Sequence, residues 1–139
     1  MKSENINSTP LIKYAHTAYF KNGYLGVSVG KPDFAIPDGL LDRGEFHITI
    51  LSPAEVRDLK KRLPEKLYSP IGIAGYPSYL GVGMQKEPGN EVYFVVVEWL
   101  EAQKVRESLG FAPKDLHITM GFRVRDIHNA PKDKSTLIL

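Results

Sequence analysis

Apolar and polar positions along this chain fall mostly into short runs of strand character, interrupted by two stretches of helical spacing. After a loose polar start over residues 1–10, Tyr24 to Val29 (Tyr-Leu-Gly-Val-Ser-Val) is β-branched and aromatic, and Lys31-Pro32-Asp33 closes it with turn chemistry. A first strand is expected there. Phe46 to Leu51 predicts another, which stops at Ser52-Pro53. Ser52 as N-cap, Pro53 at the first helical position and Glu55 three residues after the cap spell a capping box. With Val56, Leu59 and Leu63 at helical spacing, this predicts a helix over 53–62 that ends before Pro64. Tyr79 to Met84 and Val92 to Val97 predict a hairpin, because Glu87-Pro88-Gly89-Asn90 places Pro and Gly where a type II turn wants them. Trp99, Ala102, Arg106 and Leu109 predict a second helix, with Gly110 as its C-terminal glycine. Leu116 to Phe122 is the last strand, followed by a polar tail with an apolar end, Leu137-Ile138-Leu139.

The length of 139 residues with 42% hydrophobic composition suits one domain over 1–139 built from two lobes, joined around 64–70. A net charge of +2 is compatible with an anionic ligand without implying a long nucleic-acid track. There is no cysteine, which removes disulfides, zinc-thiolate sites and thiol nucleophiles together, and with them a disulfide-stapled ribonuclease scaffold. No run approaches the roughly 20 apolar residues of a membrane span, and the first ten residues lack a signal-peptide core. A cytoplasmic monomer without membrane contact is expected.

Chemistry enters with a repeat. Glu45-Phe46-His47-Ile48-Thr49-Ile50 and Asp115-Leu116-His117-Ile118-Thr119-Met120 share the pattern acid, apolar, His, Ile, Thr, apolar, one in each half of the chain. Residues two apart on a strand share a face, so each strand offers one imidazole and one hydroxyl together, while Ile48 and Ile118 point the other way. Two such strands side by side would place two imidazoles and two hydroxyls around one cleft. That set suits phosphodiester chemistry: a neutral His takes a proton from water, a protonated His gives one to the leaving oxygen, and the hydroxyls hold phosphoryl oxygens. An unperturbed imidazole pKa of about 6.5 lets one ring be neutral and the other charged near pH 7. A histidine-based metal site is not expected, because the repeated partner is a hydroxyl and not a second ligand. No cofactor is expected.

With these motifs the chain resembles the two-histidine (2H) phosphoesterases, which include RNA 2',3'-cyclic phosphodiesterases, bacterial RNA-ligase-like 2'-5' phosphodiesterases and the cyclic-phosphodiesterase parts of tRNA ligases. Their signature, His-x-Thr/Ser-apolar twice, is matched by His47-Ile48-Thr49-Ile50 and His117-Ile118-Thr119-Met120. The Tyr-Leu-Gly-Val-Ser-Val start and the Asp-Leu-His-Ile-Thr-Met-Gly-Phe segment look like the branch associated with Swiss army knife RNA-repair proteins. The resemblance implies an α+β fold of two pseudo-symmetric antiparallel sheets around a central cleft with outer helices. It implies that His47 and His117 are catalytic and that Thr49 and Thr119 bind phosphate. The implied activity is hydrolysis of a 2',3'-cyclic phosphate at an RNA or nucleotide end. A linear 2'-5' or 3'-5' oligonucleotide linkage, or nucleotide binding without turnover, are the alternatives.

Other residues carry two readings each. Arg123 keeps the strand parity of His117 and Thr119, so it could grip phosphate if the strand continues, or be a solvated residue past its end. Glu45 and Asp115 could orient the histidines or be exposed strand starts. Tyr14, Tyr24, Tyr76 and Tyr79, with Tyr19 and Phe34, are candidates to stack on a nucleobase. Phe46 and Phe122 are expected in the core, His16 and His128 in surface loops, and Lys132-Asp133-Lys134 in a solvated tail.

Overall fold

The computed structural model describes residues 15–138. Among them the chain forms strands β1 (His16–Lys21), β2 (Tyr24–Val29) and β3 (Phe46–Leu51), helix α1 (Pro53–Arg62) and a 3-10 turn (Pro64–Tyr68). Strands β4 (Ile71–Ile73), β5 (Ser78–Glu87) and β6 (Asn90–Glu98), helix α2 (Leu100–Ser108), strand β7 (Leu116–Phe122) and a second 3-10 turn (Lys134–Thr136) complete the order. The two sheets are antiparallel, in the orders β3-β2-β1-β4 and β5-β6-β7. This is the expected α+β, two-sheet architecture.

The predicted elements form where they were expected, for the reasons expected. Ser52 Oγ accepts from Glu55 N at 3.3 Å and Ser52 N donates to Glu55 Oε1 at 2.9 Å, completing the capping box of α1. At the end of α2, Gly110 N donates to the Glu107 carbonyl and Phe111 N to the Arg106 carbonyl. Gly110 at φ +92° is what lets the chain turn out of the helix there. Two strands, β1 and β4, go beyond the elements expected from sequence. A tight hairpin joins β1 to β2 through Asn22 (φ 51°) and Gly23 (φ 82°), and an Asn-Gly pair is the strongest short-range hairpin signal. His16 therefore lies on a strand, half-buried between Tyr76 and Trp99, and not in a surface loop. The region 64–70 holds the first 3-10 turn, and the chain passes to the second sheet between Ile73 and Ser78.

Alternation along β6 divides the apolar residues between two clusters. Val95 and Val97 face the main core, shared with Ile48, Ile50, Leu51 and Leu59 of the first lobe and with Leu116, Ile118 and Met120 of β7. Val92, Phe94 and Val96 face the other way, into a smaller cluster closed by Ile127, Ala130 and Leu137 of the C-terminal segment. Burying a side chain such as Ile127 is worth roughly 1.5–3 kcal/mol, so this segment is held by packing as well as by hydrogen bonds. Both helices pack on the first sheet, α1 against β2 and β3 and α2 against β3 and β4. The lobes are further tied where Leu41 and Phe122 exchange two backbone hydrogen bonds of 2.9 Å.

The two histidine strands share an irregularity. In β3, Thr49 faces Gly26 and Leu51 faces Leu25, leaving Ile50 unpaired. In β7, Thr119 faces Phe94 and Gly121 faces Tyr93, leaving Met120 unpaired. Each bulge sits three residues after the histidine and sends an extra apolar side chain into the main core. A bulge also reverses the parity of the residues beyond it. No helix of the described residues is long and apolar enough to cross a membrane.

Candidate active site

Strands β3 and β7 are edge strands of their sheets and pack against one another. Their histidine-bearing faces open into one cleft of about 760 Å³, lined by His47, Thr49, His117 and Thr119. Pairing fixes these faces: His47 lies opposite Ser28 and Thr49 opposite Gly26, while His117 lies opposite Val96 and Thr119 opposite Phe94. Ile48 and Ile118 are fully buried on the opposite faces, so strand slippage would have to expose them.

The two imidazoles sit in different surroundings. Tyr24 stacks on the His47 ring at 4.7 Å between centroids and 24° between planes. Gly26 makes this possible, since a Cβ there would lie 2.6 Å from the Tyr24 ring. Glu45 Oε1 lies 3.6 Å from His47 Nδ1, too far for a good hydrogen bond but close enough to act through its charge. Burial lowers the His47 pKa from its usual value, Glu45 opposes that, and Arg43 and Lys21 add to it. His117 is set deeper, edge-on to Phe94 at 5.8 Å. Burial first and the Lys132 ammonium second push its pKa down to about 4, against the raising influence of Asp115 and Asp126. Both pKa values are thus lowered in the free cleft, which favours the neutral form of each ring, His117 the more strongly. The Nδ1 atoms of both are buried without a hydrogen-bond partner among the described residues. Packing against Tyr24 and Phe94 therefore does the orienting that a carboxylate often does.

Two charged networks flank the histidines. Under β3, Arg106 is buried and donates to the Ile50 carbonyl at the bulge (2.8 Å), to both Glu55 oxygens (2.8 Å each) and to the Ala112 carbonyl. Burial alone would raise the Glu55 pKa, but the hydrogen bonds from Arg106 and Ser52 N bring it down to about 2. Beside β7, Asp126 accepts from Lys132 Nζ at 2.9 Å through Oδ1 and from Arg43 Nη2 at 3.0 Å through Oδ2, with the Thr119 hydroxyl 3.4 Å from Oδ2.

A family model described as the Swiss Army Knife, 2H phosphoesterase domain matches residues 31–128, more than half of the chain and both His-x-Thr strands. The chain belongs to the Swiss Army Knife 2H phosphoesterases. No curated protein and no solved structure matches it. Family membership makes phosphodiester hydrolysis the general chemistry of this domain.

Several expected site residues stand elsewhere in this 2H phosphoesterase. Arg123 lies past the β7 bulge, which turns it to the other face, where it pairs with Glu91 at 3.3 Å outside the cleft. The same reversal puts Phe122 on the histidine side, against the smaller cluster. Tyr24 lines the cleft, but its ring is occupied with His47. Tyr76 is 76% exposed beside His16, and Tyr79 packs towards Phe34; neither lines the cleft, nor do Tyr19 and Phe34. Tyr14 lies outside the described residues. Asp115 is no exposed strand start: half-buried, it lines the cleft and accepts from Lys132 N at 2.7 Å. His128 stands on the cleft rim, and Lys132 is buried in the cleft wall instead of lying in a solvated tail. Sequence reasoning missed Arg43, Asp126 and Lys132 because no local pattern links them. Their one local signal was Arg43 and Asp126 lying just outside motif strands.

Proposed function

We propose that this 2H phosphoesterase hydrolyses a 2',3'-cyclic phosphate at an RNA or nucleotide end without a metal ion, with His117 as base and His47 as acid. The observation that carries the proposal is the convergence of two imidazoles and two hydroxyls, from pseudo-symmetric strands, on one cleft. His117 accepts a proton from water, whose oxygen attacks phosphorus. The bond from phosphorus to one ribose oxygen breaks, and His47 delivers its proton to that oxygen, leaving a phosphomonoester. Thr49 and Thr119 hold the non-bridging oxygens as their charge grows. Burial favours the neutral form of both rings, more strongly at the deeper His117, and the nearest charges then divide the roles: the Lys132 cation adds to neutral His117, whereas the Glu45 carboxylate favours protonated His47. An entering phosphodiester anion adds a negative charge beside both rings, and His47, with Glu45 at 3.6 Å, is the ring better placed to take up the proton. Among the described residues no three His, Asp or Glu side chains converge as metal ligands.

The test uses matched oligonucleotides in EDTA. One carries a 2',3'-cyclic phosphate end, and the others carry internal 2'-5' or 3'-5' linkages with plain ends. The expected result is conversion of the cyclic end to a monoester with every internal linkage intact. Cleavage of internal linkages, a need for added metal, or nucleotide binding with no product after long incubation would each overturn the proposal.

A further inference from the structure

The C-terminal segment does more than close the smaller cluster. Ile138 N donates to the Val82 carbonyl at 2.9 Å and Gln85 Nε2 to the Pro131 carbonyl at 2.8 Å, so the segment is strapped along β5. Gly83 leaves the room this needs, since a Cβ there would lie 2.4 Å from Thr136 Oγ1. At the cleft, Asp115 fixes the strap by accepting from Lys132 N. Lys132 is then directed inward, its ammonium 5.7 Å from the Phe94 ring centre and 2.9 Å from Asp126 Oδ1.

Lys132 and Asp126 side chains are both only 4% exposed. Burying such a pair takes both ions out of water at a large desolvation cost and is weak evidence of a stabilising role. Asp126 is moreover shared: Arg43 takes its other oxygen. Two cations thus meet one carboxylate on the wall beside His117 and Thr119. An ammonium has three donors, and among the described residues one of them, to Asp126, is used. Among those residues the other two have no protein acceptor, on a residue that lines the cleft.

We propose that the Lys132 ammonium binds a phosphate oxygen of the substrate, with Asp126 as the positioning residue that aims it, so that the C-terminal strap completes the cleft. The proposal deepens the reading of this cleft as a phosphodiester site and rests on it. Lys132 lies beyond the segment matched by the family model, so the motif strands alone do not supply it. Asp126 also fixes Arg43 on the other side, and the ammonium adds to the hold that the Thr119 hydroxyl has on the same phosphoryl group.

The experiment titrates inorganic phosphate into the full chain and follows the Lys132 Nζ and histidine ring signals by NMR. The expected result is that Lys132 Nζ and His117 move with a common midpoint. Lys132→Met should weaken phosphate binding by about tenfold or more, the worth of a charge-assisted hydrogen bond. Lys132→Arg, which keeps the charge, should stay within about threefold. A Lys132 Nζ signal that stays still while the histidines move overturns the proposal without requiring any variant to fold. So does phosphate that moves none of these signals, or a folded Lys132→Met that binds phosphate within about twofold of the unaltered chain. Because the readout is binding, an unaltered chain that binds phosphate through Lys132 but turns over no cyclic end sinks the proposed activity and leaves this inference standing. Turnover that proceeds while Lys132 plays no part in binding does the reverse.

Discussion

The two lobes contribute the same strand and different surroundings. In β3 and β7 alike, histidine and threonine share a face, isoleucine fills the core behind them, and a bulge comes three residues after the histidine. What differs is the charge and depth around each ring: a stacked tyrosine and a nearby carboxylate at His47, burial and a lysine at His117. Repetition therefore builds the cleft, and asymmetry gives its two imidazoles different proton affinities. A perfectly symmetric pair would have no means of deciding which ring accepts and which donates.

Removing either ring should have the largest effect. His47→Ala and His117→Ala should each lower kcat on a cyclic-phosphate end by about 10²–10⁴, the usual worth of a positioned acid or base. Steady-state rates at fixed pH read this directly, and undiminished activity in either variant would break the pairing of the lobes. Next in size is the buried knot under β3. Arg106→Met leaves the Ile50 carbonyl and the Glu55 carboxylate without their partner, and should cost roughly 3–5 kcal/mol in urea unfolding. Nothing equivalent should happen on the β7 side on changing the exposed Arg123, whose surface pair with Glu91 is worth at most about 1 kcal/mol.

Acid should distinguish the rings as well. The unfolded chain protonates His117 near the usual pH of about 6.5, whereas the folded chain resists until about pH 4. Between these values the unfolded state binds more protons, so stability falls as pH drops through that window, by roughly 3 kcal/mol in all. Glu55 adds a separate loss at lower pH: its carboxylate stabilises the fold above the usual value of about 4.5, and that is lost as pH falls towards about 2. Urea midpoints from pH 7 to pH 4 should lose most of their slope in His117→Asn, and an unchanged slope would contradict the assigned burial. The smallest effect concerns the helices. α1 has a side-chain cap and α2, begun at Trp99, has none. Ser52→Ala should destabilise by about 1 kcal/mol, measured by the thermal midpoint.

Legibility in the sequence tracked the range of the interactions. The His-x-Thr faces, the capping box of α1, the β5–β6 turn and Gly110 are set by neighbours within a few residues, and all were readable. The short strands β1 and β4 were not, although Asn22-Gly23 marked the first hairpin; β4 has only three residues and no alternation to show. Of the two readings of Arg123, the solvated residue past the strand end holds and the cleft-facing one does not, because strand parity holds only until the first bulge, and the bulge at Met120 depends on how β7 meets β6. Lys132 looked like a solvated lysine because its burial depends on Asp115, Asp126 and Gly83, all distant from it in sequence except Asp126. Charge patterning could not reveal a tail that folds back over a sheet.

The central claim, that one cleft pairs a base from β7 with an acid from β3, is tested most directly by the pH dependence of kcat/KM for cyclic-phosphate hydrolysis in EDTA. The free-chain pKa values lie below the usual imidazole value, at about 4 for His117 and lowered for His47. The predicted profile is therefore a bell with its maximum between about pH 4 and pH 6.5, whose acid limb reports His117 and whose alkaline limb reports His47. A profile without two limbs, or one that persists unchanged in shape when His47 and His117 are replaced in turn, would contradict it.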